Sequence, residues 1–310
     1  MDFRQLSALV AIADHGSFSA AARALYTVQS NVSGHVSRLE RELGVTLVDR
    51  QRGGLTDEGA AVVERARRIQ RELSAISADM ASNDDDIAGE SRLGIIGTTA
   101  RWLVPQFLTS LANTHPRVRS VVVEGSTSTL IPRLIEGQLD AIIVHLPIDD
   151  PELAVETLFG EDLVLVAHRS HPLAEGDEAS LVDVARHPLL LAPRGTALRR
   201  VIDRAASNAG VDITPSAEID GVRLLTSLAL DGLGPTIVPS TAVPLALRGD
   251  FTRVRVPELP RRVVGWAHRR RPAPSAAVNA TLDVVRELVA QRGALQPGLH
   301  VDDLTPFAHR

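Results

Sequence analysis

Three clusters of hydroxyl side chains stand where hydrogen bonds could hold a small anion: Thr98 with Thr99, Ser126 with Thr127 and Ser128, and Thr196 after Gly195. Each follows an apolar run (RLGIIG, VRSVVVEG, PLLLAP) and precedes a stretch with helical spacing. A hydroxyl beside the free N–H groups of a helix start suits a carboxylate or phosphate. The same residue types serve equally as helix N-caps, so both roles stay open at each position. His145, at the end of LDAIIVH, joins this set as a lining residue, with Trp102 and Arg194 as weaker members. A second constellation lies near the N-terminus. Gln29, Ser30, Asn31, Ser33, His35, Ser37 and Arg38 share a segment whose apolar positions are Val32, Val36, Leu39 and Leu43. Short hydroxyls, amides and arginine reach phosphates and base edges when a helix end enters the major groove. An ordinary solvated helix face has the same pattern.

Other chemistries find no support. There is no lysine, hence no phosphate loop ending in Gly-Lys, and neither HExxH nor GxSxG occurs. His168 and His171 form an HxxH pair with no third ligand nearby, and DGLGP lacks the third glycine of a dinucleotide fingerprint. The run SNDDD at 82–86 reads as a solvated hinge, because consecutive aspartates do not converge on one ion without special geometry. The absence of cysteine removes disulfides, thiolate zinc sites and thiol redox sensing. No cofactor, no metal and no enzymatic activity are expected. The net charge of −5 does not advertise nucleic-acid binding, which must rest on the local constellation.

The elements that must position these residues follow from periodicity. At 310 residues and 44 % hydrophobic content the chain suits two or three packed domains. No apolar run approaches 18 residues and no basic segment precedes an apolar stretch at the start, so the expectation is a cytoplasmic protein with no membrane partner. Asp2 and Ser17 are candidate caps of two short helices, and His15-Gly16 ends the first. The third helix starts at Gln29. From Asp57 to about Met80 the chain has no proline, and Val62, Ala66, Ile69, Leu73, Ile76 and Met80 are spaced 4, 3, 4, 3 and 4 residues apart. That 3.5 period is the seam of a coiled coil and favours pairing with a second chain. Beyond it, strands and helices alternate as in an α/β protein with parallel strands, in two sets that suggest two lobes and a cleft.

The segment GSFSAAARALYTVQSNVSGHVSRLERELGVTLVDR, continuing through QRGG and LTDEG, resembles the helix-turn-helix of LysR-type transcriptional regulators. The later pieces LGIIG, EGSTSTLIPRLIEGQLDAII, LVLVAHRSHPLA, PRGT and LALDGLGPTIVP resemble the effector domain of the same family. The resemblance implies an α/β protein with an N-terminal winged helix-turn-helix, a long linker helix and a two-lobed, periplasmic-binding-protein-like effector domain. It places the winged helix-turn-helix at 1–59, a dimerising linker helix and hinge at 60–88, the effector domain at 89–295 and a C-terminal tail at 296–310. Lobe I takes about 90–166 and 265–295, lobe II about 167–264, with hinge strands crossing near Val166 and Trp266. The helix from Gln29 becomes the recognition helix, and Arg50 and Arg52 flank a wing that meets the DNA backbone. The implied partners are double-stranded promoter DNA, a small-molecule effector with carboxylates among the candidates, further copies of the chain in a homodimer or homotetramer, and RNA polymerase. Two positions depart from the family pattern. Val28 replaces the usual Ser or Thr, leaving the cap to Thr27 or to nothing, and Gly34 replaces a longer polar side chain.

Overall fold

The computed structural model describes residues 1–49, 54–81, 86–245 and 249–301. The chain divides into two compact units, Met1–Ala81 and Ser82–Arg310. Among the described residues no helix is long and apolar enough to cross a membrane.

The first unit is helical. Helix α1 (Phe3–His15) opens with a reciprocal capping box: the Asp2 carboxylate accepts from the Gln5 N–H, and the Gln5 side chain accepts from the Asp2 N–H. It closes at Gly16 in the left-handed conformation. Helix α2 (Phe18–Ala24) is capped by the Ser17 hydroxyl. Helix α3 (Gln29–Leu43) starts at Val28 with no side-chain cap. The Thr27 hydroxyl does not replace it, since it accepts instead from the Asn31 side chain at 2.9 Å. Two short antiparallel strands, β1 (Val48–Asp49) and β2 (Gly54–Leu55), form the base of a wing. Arg50 and Arg52, expected on that wing, lie outside the described residues. Helix α4 (Asp57–Ala81) follows without a break.

The core of this unit joins Leu9 and Ile12 of α1, Ala21 and Ala22 of α2, Val32, Val36 and Leu39 of α3, and Val63 and Ala66 of α4. Gly59 is required where α4 begins, because a Cβ there would lie 2.0 Å from the Leu47 carbonyl oxygen. The boundary expected at residue 59 therefore falls inside α4, whose first half contributes Val63 and Ala66 to this core. Val62 packs on that core and Ala66 is fully buried in it, so these two seam positions are covered within the unit. Ile69, Leu73, Ile76 and Met80 are exposed.

The second unit holds two sheets. One has six strands in the order β13-β6-β12-β5-β3-β4. They are β3 (Ala88–Ile96), β4 (Arg117–Gly125), β5 (Ala141–His145), β6 (Leu153–Glu161), β12 (Arg262–Arg269) and β13 (Leu299–His300). Helices α5 (Gly97–Thr114), α6 (Thr127–Ile135) and α10 (Ala276–Arg292) cover it. The other has five strands in the order β11-β7-β10-β8-β9. They are β7 (Leu163–His168), β8 (Leu189–Leu191), β9 (Pro215–Glu218), β10 (Thr236–Pro239) and β11 (Phe251–Arg255). Helices α7 (Leu181–Val184), α8 (Ala197–Asn208) and α9 (Val222–Leu230) belong to this second lobe.

The parallel strands anticipated from sequence are the β3–β4, β3–β5, β8–β9 and β8–β10 pairs. The sheets are mixed, because β12 runs antiparallel to β5 and β6, and β7 antiparallel to β10 and β11. These are the strands by which the chain leaves and re-enters lobe I. The crossings lie at Asp162, the single residue between β6 and β7, and between Arg255 and Arg262. Val166 and Trp266 are instead inside the sheets of lobe II and lobe I. Strand β6 was not anticipated from the sequence. Its glutamates argue against a covered strand, yet Glu156 binds Arg286 at 2.7 Å and Glu161 binds Arg262 at 3.0 Å. The stretch assigned to a tail from residue 296 contributes the edge strand β13, whose Leu299 is buried.

Candidate functional site

The polar face of α3 is presented as its spacing predicts. Gln29, Ser30, Asn31 and Arg38 are exposed, and Ser33, His35 and Ser37 half-buried, while Val32, Val36 and Leu39 are sealed in the core. Several of these side chains are held in place. The Gln29 amide oxygen accepts from the Ser19 hydroxyl at 2.7 Å, and Asn31 is fixed on Thr27. Arg38 donates to the Gly34 carbonyl at 3.2 Å and meets His35 Nδ1 at 3.1 Å, so Gly34, where a longer side chain was missed, gives its carbonyl to Arg38. Gln29 and Ser33 also line a pocket of about 240 Å³ with Gly16, Ser17, Phe18 and Asp49.

Tyr26 is a candidate that sequence reasoning did not single out. It is 98 % exposed at the turn between α2 and α3 and has φ +52°. The left-handed conformation belongs to the end of α2: the Tyr26 N–H donates to Arg23 and the Thr27 N–H to Ala22, satisfying carbonyls the helix leaves open. The fold thus accounts for the backbone and leaves the phenol in solvent. It is the chain's one tyrosine, the only signal of it in the sequence.

In the second unit the hydroxyl clusters divide by role. Ser126 caps α6 in a reciprocal pair with Thr129, and its hydroxyl also meets Ser128 at 2.9 Å. Thr196 caps α8, accepting from the Arg199 N–H and donating to the Pro193 carbonyl at 2.9 Å. The capping role therefore accounts for both. Thr127 accepts from the His145 N–H at 3.3 Å, which joins the start of α6 to the end of β5. Thr98 and Thr99 are buried in the first turn of α5, and the Thr99 hydroxyl has no hydrogen-bond partner. No hydrogen bond among the described residues joins Thr196 to the hydroxyls of lobe I.

His145 is half-buried as a residue, but its Nδ1 is closed to solvent and has no partner. Burial, aided by the nearby Arg262 charge, holds the imidazole well below its ordinary pKa, so it is neutral at pH 7. Trp102 Nε1 is likewise sealed and unpartnered, and its ring packs edge-on to Phe159 with centroids 5.7 Å apart. Orphaned buried polar groups of this kind call for an explanation beyond packing. Arg194 is exposed on the loop before Thr196. Of the HxxH pair, His168 meets the Ser170 hydroxyl and His171 the ring of His187. No group of three metal-ligating side chains occurs among the described residues.

Sequence reasoning missed the contacts that join the lobes. The Glu161 carboxylate is buried, pairs with Arg262 and accepts from both the N–H and the hydroxyl of Thr241 in lobe II. Burial pulls the Arg262 guanidinium below its usual pKa and Glu161 opposes that shift. Arg101 on α5 donates to the Ala242 carbonyl at 3.3 Å, and Arg223 on α9 pairs with Glu124 at 2.9 Å.

The family model "Bacterial regulatory helix-turn-helix protein, lysR family" matches residues 3–60, and "LysR substrate binding domain" matches residues 84–290. A probable hydrogen peroxide-inducible genes activator of Mycobacterium leprae is 32 % identical over 294 residues, covering 92 % of this chain and 93 % of the relative. The DNA-binding transcriptional dual regulator OxyR of Escherichia coli K12 is 28 % identical over 298 residues, covering 94 % and 96 %. Among solved structures, full-length CbnR complexed with its target DNA superposes with a TM-score of 0.68 at 24 % identity, covering 93 % of this chain and 99 % of that one. Full-length BenM gives 0.57 at 24 % identity, covering 96 % and 99 %. These two likenesses speak for the fold, whereas the family models span most of the sequence. The chain belongs to the LysR family of bacterial helix-turn-helix transcriptional regulators, a family of DNA-binding regulators and not of enzymes.

Proposed function

We propose that the chain binds promoter DNA as a dimer or tetramer through α3, and that a small organic anion bound between the two lobes biases that binding. The observation that carries the DNA-binding half is the α3 face itself: amide, hydroxyl and guanidinium groups face outward on a helix whose apolar side is closed. CbnR, a protein of the same fold, has been solved with its target DNA. The exposed stripe Ile69, Leu73, Ile76 and Met80 on α4 supports pairing with a second copy. RNA polymerase completes the partner set, as the enzyme on which a promoter-bound regulator acts.

For the effector, support comes from the Thr99 hydroxyl and His145 Nδ1, buried polar atoms without partners. Thr98, Ser126, Thr127 and Thr196 are the further candidate contacts. A neutral imidazole beside hydroxyls suits a ligand that both donates and accepts, such as a small hydroxycarboxylate. Relatives are named as hydrogen peroxide-inducible genes activators. This chain has no cysteine, so any response of its own to peroxide proceeds without a thiol.

The test is affinity for DNA from upstream of the gene, measured against salt. Ser33→Ala with Arg38→Ala is expected to weaken binding, and each lost phosphate contact to lower the slope of log K against log salt by about 0.9. Wild-type affinity and slope in that double variant would remove α3 from the groove. For the effector half, calorimetry with small carboxylates on the full chain and on Thr99→Val is decisive. Loss of one hydrogen bond to a charged ligand is expected to cost about 1.5–3 kcal/mol, roughly ten- to hundredfold in affinity.

A further inference from the structure

After α10 the backbone makes a turn of 3-10 helix at Gly293–Leu295 and returns as β13 along the edge of lobe I. Leu299 lies opposite Glu161 and His300 opposite Gly160, and Leu299 is 6 % exposed within the lobe I core. The match to the family's substrate-binding domain ends at residue 290, so this return lies outside the part that the family model describes.

The strand it joins ends at the first crossing between lobes. Asp162, the crossing residue, is held on every side. Its N–H donates to the Gly298 carbonyl at 2.8 Å, and its own carbonyl accepts from the Ser240 N–H of lobe II at 2.9 Å. Its carboxylate meets His300 Nε2 at 2.9 Å and accepts from Arg261, in the second crossing, at 3.2 Å. Gly298 itself has φ +74°, and a Cβ there would lie 2.8 Å from the Ser240 Cβ. The returning segment thus touches lobe I, the crossing and lobe II together. Covering an open sheet edge would explain the pairing of Leu299. It does not explain the contact of His300 with Asp162 or the close approach of Gly298 to Ser240.

Interlobe motion in two-lobed domains is absorbed by backbone rotation at a few residues where the chain crosses. Here the donor of the crossing residue is fixed by the C-terminal return and its acceptor by lobe II. We propose that residues 293–301 form a strap that fixes the interlobe hinge at Asp162 and so sets how readily the two lobes rearrange. None of the candidate effector contacts lies on the strap, so it tunes the response to an effector through the crossing alone.

The test uses the full chain and three variants: truncation after Gln296, Gly298→Val and His300→Ala. Gly298→Val combines a left-handed backbone with a collision at Ser240 and should expel the strap while keeping its residues. Because the chain lacks cysteine, cysteines introduced at exposed Asn113 in lobe I and Asn208 in lobe II can carry a label pair that reports interlobe distance. Hydrogen exchange is read at Ser240 and Thr241, whose N–H groups donate to Asp162 and Glu161 from lobe II. Strap release is expected to speed their exchange by about tenfold or more and to broaden or shift the distance distribution, with His300→Ala changing both in the same direction but less. The proposal is overturned if the Leu299 and His300 amides exchange freely while Ser240, Thr241 and the label distance stay as in the parent chain. Should truncation unfold lobe I, Gly298→Val and His300→Ala decide by the same criterion.

Discussion

The two halves of α4 carry one apolar stripe and meet different fates. In the first half Val63 is 3 % exposed and Ala66 is fully buried, and Arg67 reaches back to Asp14 of α1. In the second half Ile69 is 42 % exposed, Ile76 58 % and Met80 80 %. The spacing of apolar residues is the same throughout, so periodicity states only that a stripe exists. What covers it depends on which neighbours the fold supplies. Helix α1 reaches α4 as far as Gln70, and the stripe beyond it stays exposed.

The largest expected effect falls on the covered half. Ala66→Glu places a carboxylate with no partner in the sealed helical core, and the cost is expected to be about 3–5 kcal/mol. Thermal or urea unfolding of the first unit measures it. A melting curve like the parent's would show that α4 is not part of that core.

A change in the exposed half should leave folding alone and act on assembly. Ile76→Glu is expected to sediment as a monomer with unchanged melting of the helical unit, and to bind an operator with two half-sites weakly, because a dimer spans both. If it sediments as the parent does, the stripe is covered by something other than a second copy of α4. The smallest effect marks the border between the halves. Val62→Ala removes half-buried methyl groups and should cost about 1 kcal/mol in unfolding with no change in self-association. A shifted association equilibrium with an unchanged melt would instead make the stripe continuous between chains.

A similar division runs through the second unit. Ser126 and Thr196 carry out capping that their sequence context already suggests, whereas Thr99 and His145 hold polar atoms that the fold buries without partners. From the sequence all of these are polar residues at strand ends. The difference arises because Ser126 and Thr196 sit at the helix start itself, within reach of the open N–H groups, while Thr99 lies inside the first turn and is buried.

What the sequence alone determined is what short-range rules control. Periodicity and caps placed α1 to α4, the alternation of strands and helices in two lobes and the polar face of α3, and composition ruled out thiol chemistry. The tertiary structure decided everything that depends on partners far along the chain. The missing cap at Val28 could be seen locally, but the use of Thr27 by Asn31 could not. Strand β6 went unread in the sequence, and its glutamates are met by Arg286 and Arg262, 130 and 101 residues away. The return of β13 to the Asp162 crossing closes a loop of 138 residues between His300 and Asp162. Such contacts carry no local signature, because an arginine or histidine bound for a distant carboxylate has the same neighbours in sequence as one left in water. Only the folded lobes bring the pairs within reach, and only at Glu161–Arg262 does burial make the pairing a matter of desolvation.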